Sequence, residues 1–381
     1  MSKGNIEKGQ LREGYTTGSA ATAAAMAAVR VLLGGHTPER IEIPLPVKGS
    51  LDIPVARVEF SGEKARAVVI KDGGDDPDAT HGHEIHALIK FSKSDVLRIE
   101  LDGGKGVGRV TLPGLPVPVG EAAINPVPRK QIIAGVLAEI SRSSADFRGL
   151  VHITIEVPQG AAIAEETMNA RLGILGGISI LGTQGIVRPF SNASWKASIA
   201  QSLNVARASG LDTIVFSTGR RSEQFYLENF PETPQIGMIQ AADFFKFSMQ
   251  QARLKKMRKV RWAIFIGKLV KHAMGFPYTH AKDWAIDFDL LARWCTELGL
   301  SDKLTKKIRA AITARNIYEM VPEKSRDAFI SMLVRKAKLN ACAFYGNSEV
   351  AIEYALFDFD GNIIYNDYNQ KKSSSSFSPM E

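Results

Sequence analysis

Residues 71–86, KDGGDDPDATHGHEIH, place four aspartates and three histidines in one short stretch. Side chains of these types bind metals or transfer protons. The stretch lacks the HExxH spacing of zinc proteases, and the glycine and closing glutamate of a calcium-binding loop are misplaced. We therefore predict no metal site here.

The same stretch has a purely structural interpretation. A turn rich in glycine, aspartate and proline would lead into a helix over HEIHALIK (83–90), with aspartates or Thr80 at its N-terminus. His83 and His86 would then be ordinary surface residues. This interpretation does not explain why so many carboxylates share one turn.

A second stretch, REGYTTGSAATAAA (12–25), has a Gly/Thr/Ser turn that opens an alanine-rich helix, which we expect to continue over 20–33 and to end at Gly34. The free N–H groups and the dipole at such a helix start can bind an anion, with Arg12 adding charge. A capped and closely packed helix fits the residues equally well, so both alternatives stay open.

Three glycine- or proline-rich segments complete the candidates. LDGGKGVGRVTLPGLP (101–116) lacks the GxGxxG and Walker spacings and predicts a hairpin. AINPVPRK (123–130) predicts a proline-stiffened loop that presents Arg129 and Lys130. GILGGISILGTQGIVRPF (173–190) has too many glycines for an ordinary helix or strand, and predicts close approach of the backbone to backbone or ligand.

The elements around these segments indicate two domains. Residues 11–190 mix short strands with few helices, typical of an α+β domain. Residues 191–366 alternate helices and strands, which predicts a Rossmann-like α/β domain with a parallel or mixed sheet. The final strand pair turns at Asp360–Gly361. We expect disorder over 1–10 and 369–381, which are polar and low in complexity.

In a parallel sheet, ligands bind beyond the carboxyl ends of the strands. This rule points to STGRRS (217–222), with Thr218, Gly219 and Arg220, and to Gly267–Lys268.

The 381 residues carry a formal charge of +8, which favours anionic partners. The two cysteines form no zinc or disulfide pattern, and no segment resembles a signal or a spanning helix, so we expect a cytoplasmic protein without membrane contact. Between Asp243 and Asp283 the chain has no acidic residue. The basic run within that segment, 246–271, is a solvated face or a polyanion funnel, but it lacks the interleaved aromatics of a nucleic-acid surface.

Six blocks occur in one order: LREGYTTGSAATAAA, DGGDDPDATHG, GGKGVGRVTLPGL, VGEAAINPVPR, GGISILGTQGIVRP and FSTGRRSE. Together they resemble the cobalt-precorrin-5B (C-1)-methyltransferase family of anaerobic cobalamin biosynthesis, the CbiD family, from about Leu11 to Tyr365. In the family the first block often has a cysteine where this chain has Ala20, which suggests that this cysteine is not a nucleophile.

The resemblance implies methyl transfer from S-adenosylmethionine to C-1 of cobalt-precorrin-5B, giving cobalt-precorrin-6A, with cobalt present only as part of the anionic substrate. It does not assign catalytic residues. Our candidates for catalysis are Asp75, Asp76, Asp78 and His81. Our candidates for binding the methyl donor are Thr16, Thr17, Gly18, Ser19, Thr218, Gly219, Arg220 and Gly267. Our candidates for binding the substrate are Arg12, Asn125, Arg129 and Arg188.

Two alternatives of other classes remain at this point. A non-catalytic tetrapyrrole-binding protein would hold the same substrate without consuming the donor, and a nucleic-acid-binding protein would use the basic run. We predict no nucleic-acid partner, because the ordered glycine and Asn-Pro segments favour a shaped small-molecule site. The sequence is compatible with a homo-oligomer.

Overall fold

The computed structural model describes residues 11–143, 146–346 and 349–368. The chain divides into two compact units, Met1–Asn192 and Ala193–Glu381, here called the N-terminal and C-terminal units. The segments predicted to be disordered, 1–10 and 369–381, lie outside the described residues.

The N-terminal unit combines short strands with two long helices. Its strands are β1 (Gly14–Tyr15), β2 (Arg40–Pro44), β3 (Ser50–Pro54), β4 (Arg57–Ser61), β5 (Lys64–Ile70), β6 (Glu84–Ser92), β7 (Arg98–Gly103), β8 (Gly106–Val107), β9 (Arg109–Val110), β10 (Leu150–Glu156), β11 (Ile174–Leu175), β12 (Gly177–Ile178) and β13 (Ile186–Val187). Its helices are α1 (Thr17–Leu32), α2 (Pro126–Ser143) and α3 (Gly160–Glu165).

A five-stranded mixed sheet of order β4-β5-β6-β10-β7 forms the centre of this unit. All neighbours are antiparallel except β10 and β7. Strand β10 buries Val151, Ile153 and Ile155, and its intervening residues are partly exposed. This alternation is expected of a strand with one face in the core, because successive side chains point to opposite faces of a sheet.

Helix α1 is buried on every side from Thr17 to Val29. It packs against α2, β5 and β6, and its alanines let these backbones approach closely. Its N-cap is Thr16, whose Oγ1 accepts a hydrogen bond from Ser19 N at 3.2 Å. The helix predicted over 20–33 is therefore confirmed, and it begins earlier than alanine content alone suggests.

The helix predicted over HEIHALIK is wrong. These residues belong to strand β6, which is paired on both sides, by β5 and by β10. Ile85, Ala87 and Ile89 point to the core, so tertiary pairing overrides the local helix preference of this stretch. His86 is also not a surface residue, since only 5% of it is exposed.

The proline-stiffened loop predicted over 123–130 is also wrong beyond Asn125. Helix α2 begins at Pro126, and Arg129 and Lys130 lie in its first turns. A proline at the first helical position is favourable because its missing N–H has no intrahelical partner there.

The hairpin predicted over 101–116 does not form. Strand β8 pairs in parallel with β12, and β9 pairs with β11, so this segment joins the glycine-rich segment 173–190 instead. A Cβ at Gly177 would lie 2.1 Å from the carbonyl oxygen of Gly106. The close backbone approach predicted for 173–190 is therefore confirmed as backbone against backbone.

The C-terminal unit follows from α4, which spans the boundary. Its helices are α4 (Asn192–Ala208), α5 (Arg220–Asn229), α6 (Phe245–Leu254), α7 (Ile266–Ala273), α8 (Phe288–Glu297), α9 (Asp302–Arg309), α10 (Ala314–Met320) and α11 (Glu323–Tyr345). Its strands are β14 (Thr213–Ser217), β15 (Met238–Gln240), β16 (Lys259–Phe265), β17 (Ala351–Phe357) and β18 (Ile363–Asn366).

These strands form one mostly parallel sheet of order β15-β14-β16-β17-β18, in which only β18 is antiparallel to its neighbour. Helices alternate with the parallel strands, as the pattern of 191–366 predicts. The β17–β18 turn contains Gly361 at φ +98°, in the predicted turn.

Both faces of this sheet are covered. Phe216, Trp262 and Tyr354 lie in the large core on one face, whereas their neighbours Val215 and Ala263 pack on the other face with residues of α5. Among the described residues, no helix is long and apolar enough to cross a bilayer.

Candidate active site

The aspartate-rich loop is tied to other segments by its carboxylates. Asp72 forms an ion pair with the Arg12 guanidinium, and the side chain of Asp75 accepts a hydrogen bond from Arg12 N at 2.7 Å. Asp76 accepts one from Phe190 N at 2.9 Å. These contacts separate the carboxylates, which answers why so many can share one turn.

Asp78 has a buried partner. Lys71, only 1% exposed, donates to its carboxylate at 2.8 Å, and Thr80 donates through both N and Oγ1. Burial alone would raise the pKa of Asp78, but the Lys71 charge and these hydrogen bonds hold that pKa below its ordinary value. Asp78 is therefore part of the loop's internal framework.

The histidines of the stretch have separate environments. His81 is exposed, and its Nδ1 accepts a hydrogen bond from Gly73 N at 2.9 Å. His86 Nε2 lies 2.7 Å from the Glu84 carboxylate, whose pKa is lowered to about 2 by hydrogen bonds from Arg57 and His86. Within the described residues, no group of three or more His, Cys, Asp or Glu is arranged to hold a metal ion.

Two of the predicted substrate-binding arginines lie beside this loop. Strand β1 pairs with β13, which places Glu13 against Arg188 at 3.0 Å, and Arg12 contacts Asp72. Both arginines are exposed at the surface, so each can exchange its present partner for a ligand carboxylate.

The predicted donor-binding turn Thr16–Ser19 is buried. Gly18 N donates to Leu181 O at 3.1 Å, and Ser19 Oγ donates to Gly185 O at 2.8 Å. The turn therefore holds the glycine-rich segment 173–190 in place. Its hydrogen-bond donors, Gly18 N and Ser19 Oγ, are already used within the chain.

The start of α2 lies against that turn. Asn125 N donates to Ile180 O at 2.9 Å, and Arg129 donates to Leu101 O at 3.0 Å and lies 3.5 Å from Glu121. A Cβ at Gly18 would lie 2.9 Å from Pro128. The structure thus brings together three segments of the sequence blocks, and Arg12 and Arg188 lie only a few residues along the chain from two of them.

A cavity of about 280 Å³ opens beside this junction, lined by Pro44, Leu45, Pro46, Val127, Lys130, Gln131 and Ala134. Gln131 donates from Nε2 to Pro44 O at 2.9 Å, and its buried Oε1 has no partner within the described residues. The sequence analysis did not predict Gln131 or residues 44–46 as part of a cavity. The two prolines, Pro44 and Pro46, are the only signal of this cavity in the sequence.

The remaining donor candidates lie at the carboxyl edge of the C-terminal sheet. The chain passes from β14 to β15 on one side of it, and then crosses to β16 on the other side of β14. The strand order therefore reverses between β14 and β16. Thr218, Gly219 and Arg220 follow β14, and Gly267 lies in the first turn of α7 after β16. Open α/β sheets bind ligands at such a reversal.

Both glycines at this edge face open space. A Cβ at Gly219 or Gly267 would meet no heavy atom within 4 Å. Each glycine stands at the start of a helix, where backbone N–H groups favour polar or anionic ligand atoms. Packing therefore does not require glycine at either position.

A third group at the same edge escaped sequence reasoning. Asp243, which follows β15 and the left-handed Ala242 (φ +49°), forms an ion pair with Lys268. Buried Thr279 donates to Asp243 at 2.9 Å, and Lys271 donates to Thr279 O at 2.8 Å. Burial and the Lys268 charge lower the pKa of the Lys271 ammonium group.

The basic run does not form one surface. Arg261 lies 2.9 Å from Glu353 on the neighbouring strand, Lys268 pairs with Asp243, and Lys271 is 8% exposed. The fold thus distributes these charges among different environments.

Known proteins provide the comparison. A cobalt-precorrin-5B C(1)-methyltransferase of Nitratidesulfovibrio vulgaris is 44% identical over 93% of this chain and 92% of that protein. The chain belongs to the CbiD family. The CbiD profile matches residues 4–189, and the profile of the CbiD C-terminal domain matches residues 278–368. An enzyme with the same name from Geobacillus sp. (strain WCH70) is 44% identical over 94% of this chain and 96% of that protein. Another, from Thermus thermophilus, is 42% identical over 92% of this chain and 92% of that protein.

One solved structure is similar to part of this chain. A cobalamin biosynthesis protein (cbiD) from Archaeoglobus fulgidus is 27% identical, covering 69% of this chain and 80% of that chain, with a TM-score of 0.37. In this CbiD chain, Ala20 is fully buried within α1, so its position could not present a nucleophile to substrate.

Proposed function

We infer that this chain is a cobalt-precorrin-5B C(1)-methyltransferase of cobalamin biosynthesis, with S-adenosylmethionine as the methyl donor and cobalt-precorrin-6A as the product. The observation that carries this inference is 44% identity along 93% of the chain to an enzyme of that name. A cytoplasmic location remains an expectation from the sequence, as does a homo-oligomer.

The chemistry needs no nucleophile from the protein. The ring carbon of the substrate attacks the methyl carbon as the sulfonium–methyl bond breaks, so the donor leaves as a neutral thioether and its positive charge passes to the macrocycle. The protein aligns donor and acceptor and excludes water, which can lower a barrier by about 7–11 kcal/mol in favourable cases. Neither cysteine is a ready nucleophile, because burial raises the pKa of the Cys295 thiol to about 12 and raises that of Cys342 as well.

The carboxyl edge around Thr218, Gly219, Arg220 and Gly267 is our proposed donor site. Support comes from the reversal of strand order, two helix N-termini and two glycines without packing neighbours. This proposal includes a Rossmann-like assignment of the sheet, in which the methyl donor binds as a nucleotide would.

The turn Thr16–Ser19 is the second candidate for the donor. The hydrogen-bond donors of this turn are used within the chain, but the turn adjoins the cavity of about 280 Å³. That volume is just below the roughly 300–1,000 Å³ of ligand pockets. A tetrapyrrole would not fit this cavity.

Calorimetry with S-adenosylhomocysteine separates the two candidates. Gly219→Ala and Gly267→Ala add a methyl group into open space, so they should leave folding intact and weaken binding about tenfold or more if the donor lies there. Ser19→Ala serves as the matched variant at the other site. Loss of binding only in Ser19→Ala would place the donor in the N-terminal unit.

Asp75, Asp76, Asp78 and His81 remain the catalytic candidates. For the case in which the donor binds in the N-terminal unit, we propose that a carboxylate of this loop contacts its sulfonium, amino group or ribose hydroxyls. Asp78 is the least suitable, because Lys71 neutralises it, whereas Asp75 and Asp76 each accept a hydrogen bond from a backbone N–H. Asp76→Asn should weaken S-adenosylhomocysteine binding, and unchanged affinity would remove this role.

Arg12, Asn125, Arg129 and Arg188 remain proposed contacts for the substrate's carboxylates. Arginine is suited to this role because its planar guanidinium binds a carboxylate through two parallel hydrogen bonds.

The decisive assay is incubation with methyl-labelled S-adenosylmethionine and cobalt-precorrin-5B. Mass spectrometry of the corrinoid should show one labelled methyl group per ring. A bound but unlabelled corrinoid would instead identify a non-catalytic tetrapyrrole carrier.

A further inference from the structure

An exposed aromatic ring stands at the carboxyl edge of the C-terminal sheet. Phe359 follows β17 and is 39% exposed. Its ring stacks on that of Phe265, the last residue of β16, with centroids 5.3 Å apart and planes 5° from parallel. Phe265 therefore covers one face of the Phe359 ring, and only the other face can contact a planar ligand.

Two guanidinium groups lie close to this ring. Arg221, in the first turn of α5, lies 5.6 Å from the Phe359 centroid and 5.8 Å from that of Phe265, and it donates to Phe359 O. Arg315, on α10, lies 4.9 Å from the Phe359 centroid. Arg220 is exposed beside Arg221 in the same turn.

Few carboxylates form ion pairs with these arginines. Within the described ranges, neither Arg220 nor Arg221 forms an ion pair, and the carboxylate partner of Arg315 is Glu319 on its own helix, at 2.7 Å. The nearby Asp358 carboxylate is used by its own turn, accepting from Asp360 N at 2.9 Å and Asn362 N at 2.8 Å. Arg220 and Arg221 can therefore bind an anion without giving up an ion pair, whereas Arg315 would share its charge with Glu319.

The ring adjoins the proposed donor site. Arg221 is two residues beyond Gly219, and Phe265 is two residues before Gly267, which is at most about 7 Å of chain in each case. Methyl transfer requires the reacting atoms to approach to about 3–3.5 Å, so an acceptor site must share an edge with the donor site.

We propose that Phe359, Arg220, Arg221 and Arg315 form the binding site for the methyl acceptor. Its peripheral carboxylates bind the three guanidiniums and draw the exposed Arg315 side chain off the Phe359 ring, and the flat macrocycle then lies against that ring. This assignment rests on the proposed function, and it is an alternative to holding the substrate's carboxylates by Arg12, Asn125, Arg129 and Arg188.

A planar probe tests the site directly. We would titrate the full-length protein with a metal-free porphyrin octacarboxylate and follow its fluorescence at about 0.15 M salt and at higher salt. Phe359→Ala and Arg221→Gln should each weaken binding about tenfold or more, and Arg221→Gln should also reduce the salt dependence. Arg220→Gln serves as a second charge variant, since Arg221 also holds the Phe359 backbone.

Matched controls lie in the same unit. Leu254, 67% exposed, and Arg293, also exposed, are remote in sequence from this site. Leu254→Ala and Arg293→Gln should bind the porphyrin within about twofold of wild type, because they remove an apolar group and a charge elsewhere. Circular dichroism checks that each variant is folded.

Three results would overturn the proposal: wild-type porphyrin affinity in both Phe359→Ala and Arg220→Gln, equal weakening in the control variants, or equally tight binding of linear polyphosphate. The donor site is scored separately by S-adenosylhomocysteine calorimetry, which Phe359→Ala should leave unchanged. If Gly219→Ala binds S-adenosylhomocysteine normally, the proposed donor site fails, whereas loss of porphyrin binding in Phe359→Ala still supports the acceptor site.

Discussion

At the residue scale, the Lys71–Asp78 pair shows how the fold uses a residue that the sequence nominates for chemistry. Lys71 is 1% exposed and its ammonium needs the Asp78 carboxylate 2.8 Å away. A buried charge that loses its partner is strongly destabilising. The first consequence of changing Asp78 should therefore be structural.

Asp78→Asn should lower the free energy of unfolding at pH 7 by roughly 3–5 kcal/mol, measured by urea denaturation. The folded pKa of Asp78 lies below its unfolded value, so its contribution is complete above about pH 4 and is lost as the pH falls through the folded pKa. The difference between variant and wild type should narrow below about pH 4. A constant difference from pH 7 to pH 2 would contradict this account.

His272 gives a second prediction at this scale. Its ring is fully buried, stacks on Phe245 with centroids 3.6 Å apart, and has Nδ1 3.2 Å from the Tyr354 hydroxyl. Burial, and secondarily the Lys268 charge, lower the pKa of His272 well below its ordinary value. The folded state therefore holds a neutral ring, whereas the unfolded chain takes up a proton near pH 6.5.

Stability should consequently be complete above about pH 6.5 and fall at lower pH by up to about 1.4 kcal/mol per unit. Denaturation at pH 8 and pH 5 should show this loss in wild type and much less of it in His272→Gln. His36→Gln, at an exposed position, is the control. An unchanged pH dependence in His272→Gln would sink the prediction.

At the element scale, three glycines hold the short strands of the N-terminal unit together. A Cβ at Gly160 or Gly177 would lie 2.0 or 2.1 Å from Gly106 O, and one at Gly106 would lie 1.8 Å from Val157 O. These neighbours are backbone atoms and cannot rotate away. The glycines therefore serve packing of β8 and β12 rather than contact with a ligand.

Gly177→Ala should destabilise the protein by at least about 1–3 kcal/mol, because an added methyl group must displace backbone. Gly267→Ala provides the contrast: it has open space and lies in a helix, where alanine is favoured by up to about 1 kcal/mol. Thermal unfolding should therefore rank Gly267→Ala at or above wild type and Gly177→Ala well below it. The reverse order would be inconsistent with the packing described.

At the scale of the whole molecule, each unit has a hydrophobic core of its own. The cluster containing Phe216, Trp262 and Phe329 belongs to the C-terminal unit, and the cluster containing Met26, Ile85 and Ile153 belongs to the N-terminal unit. A segment with its own core can fold independently.

Residues 193–381 produced alone should therefore fold cooperatively, as judged by circular dichroism and a single unfolding transition. If the donor site lies at the carboxyl edge of this sheet, the same fragment should bind S-adenosylhomocysteine. A folded fragment without affinity would favour the N-terminal candidate, Thr16–Ser19.

The sequence by itself determined elements whose pattern is local. Strand β10 follows from alternation over 150–156, and α1 follows from its alanine run and the Gly/Thr/Ser turn before it. The alternation after 191 indicated helices between parallel strands, and the order of six sequence blocks indicated the family, because both are properties of the linear chain.

Tertiary structure decided what depends on distant partners. Strand β6 has helix-forming residues but pairs on both sides with β5 and β10, and the segment 101–116 pairs with 174–178 rather than with itself. The same holds for the site: Asp243 meets Lys268, and Phe359 meets Phe265 and Arg221, only because parallel strands bring their carboxyl ends to one edge. Such contacts join residues far apart in the chain, and no local pattern encodes which ones will meet.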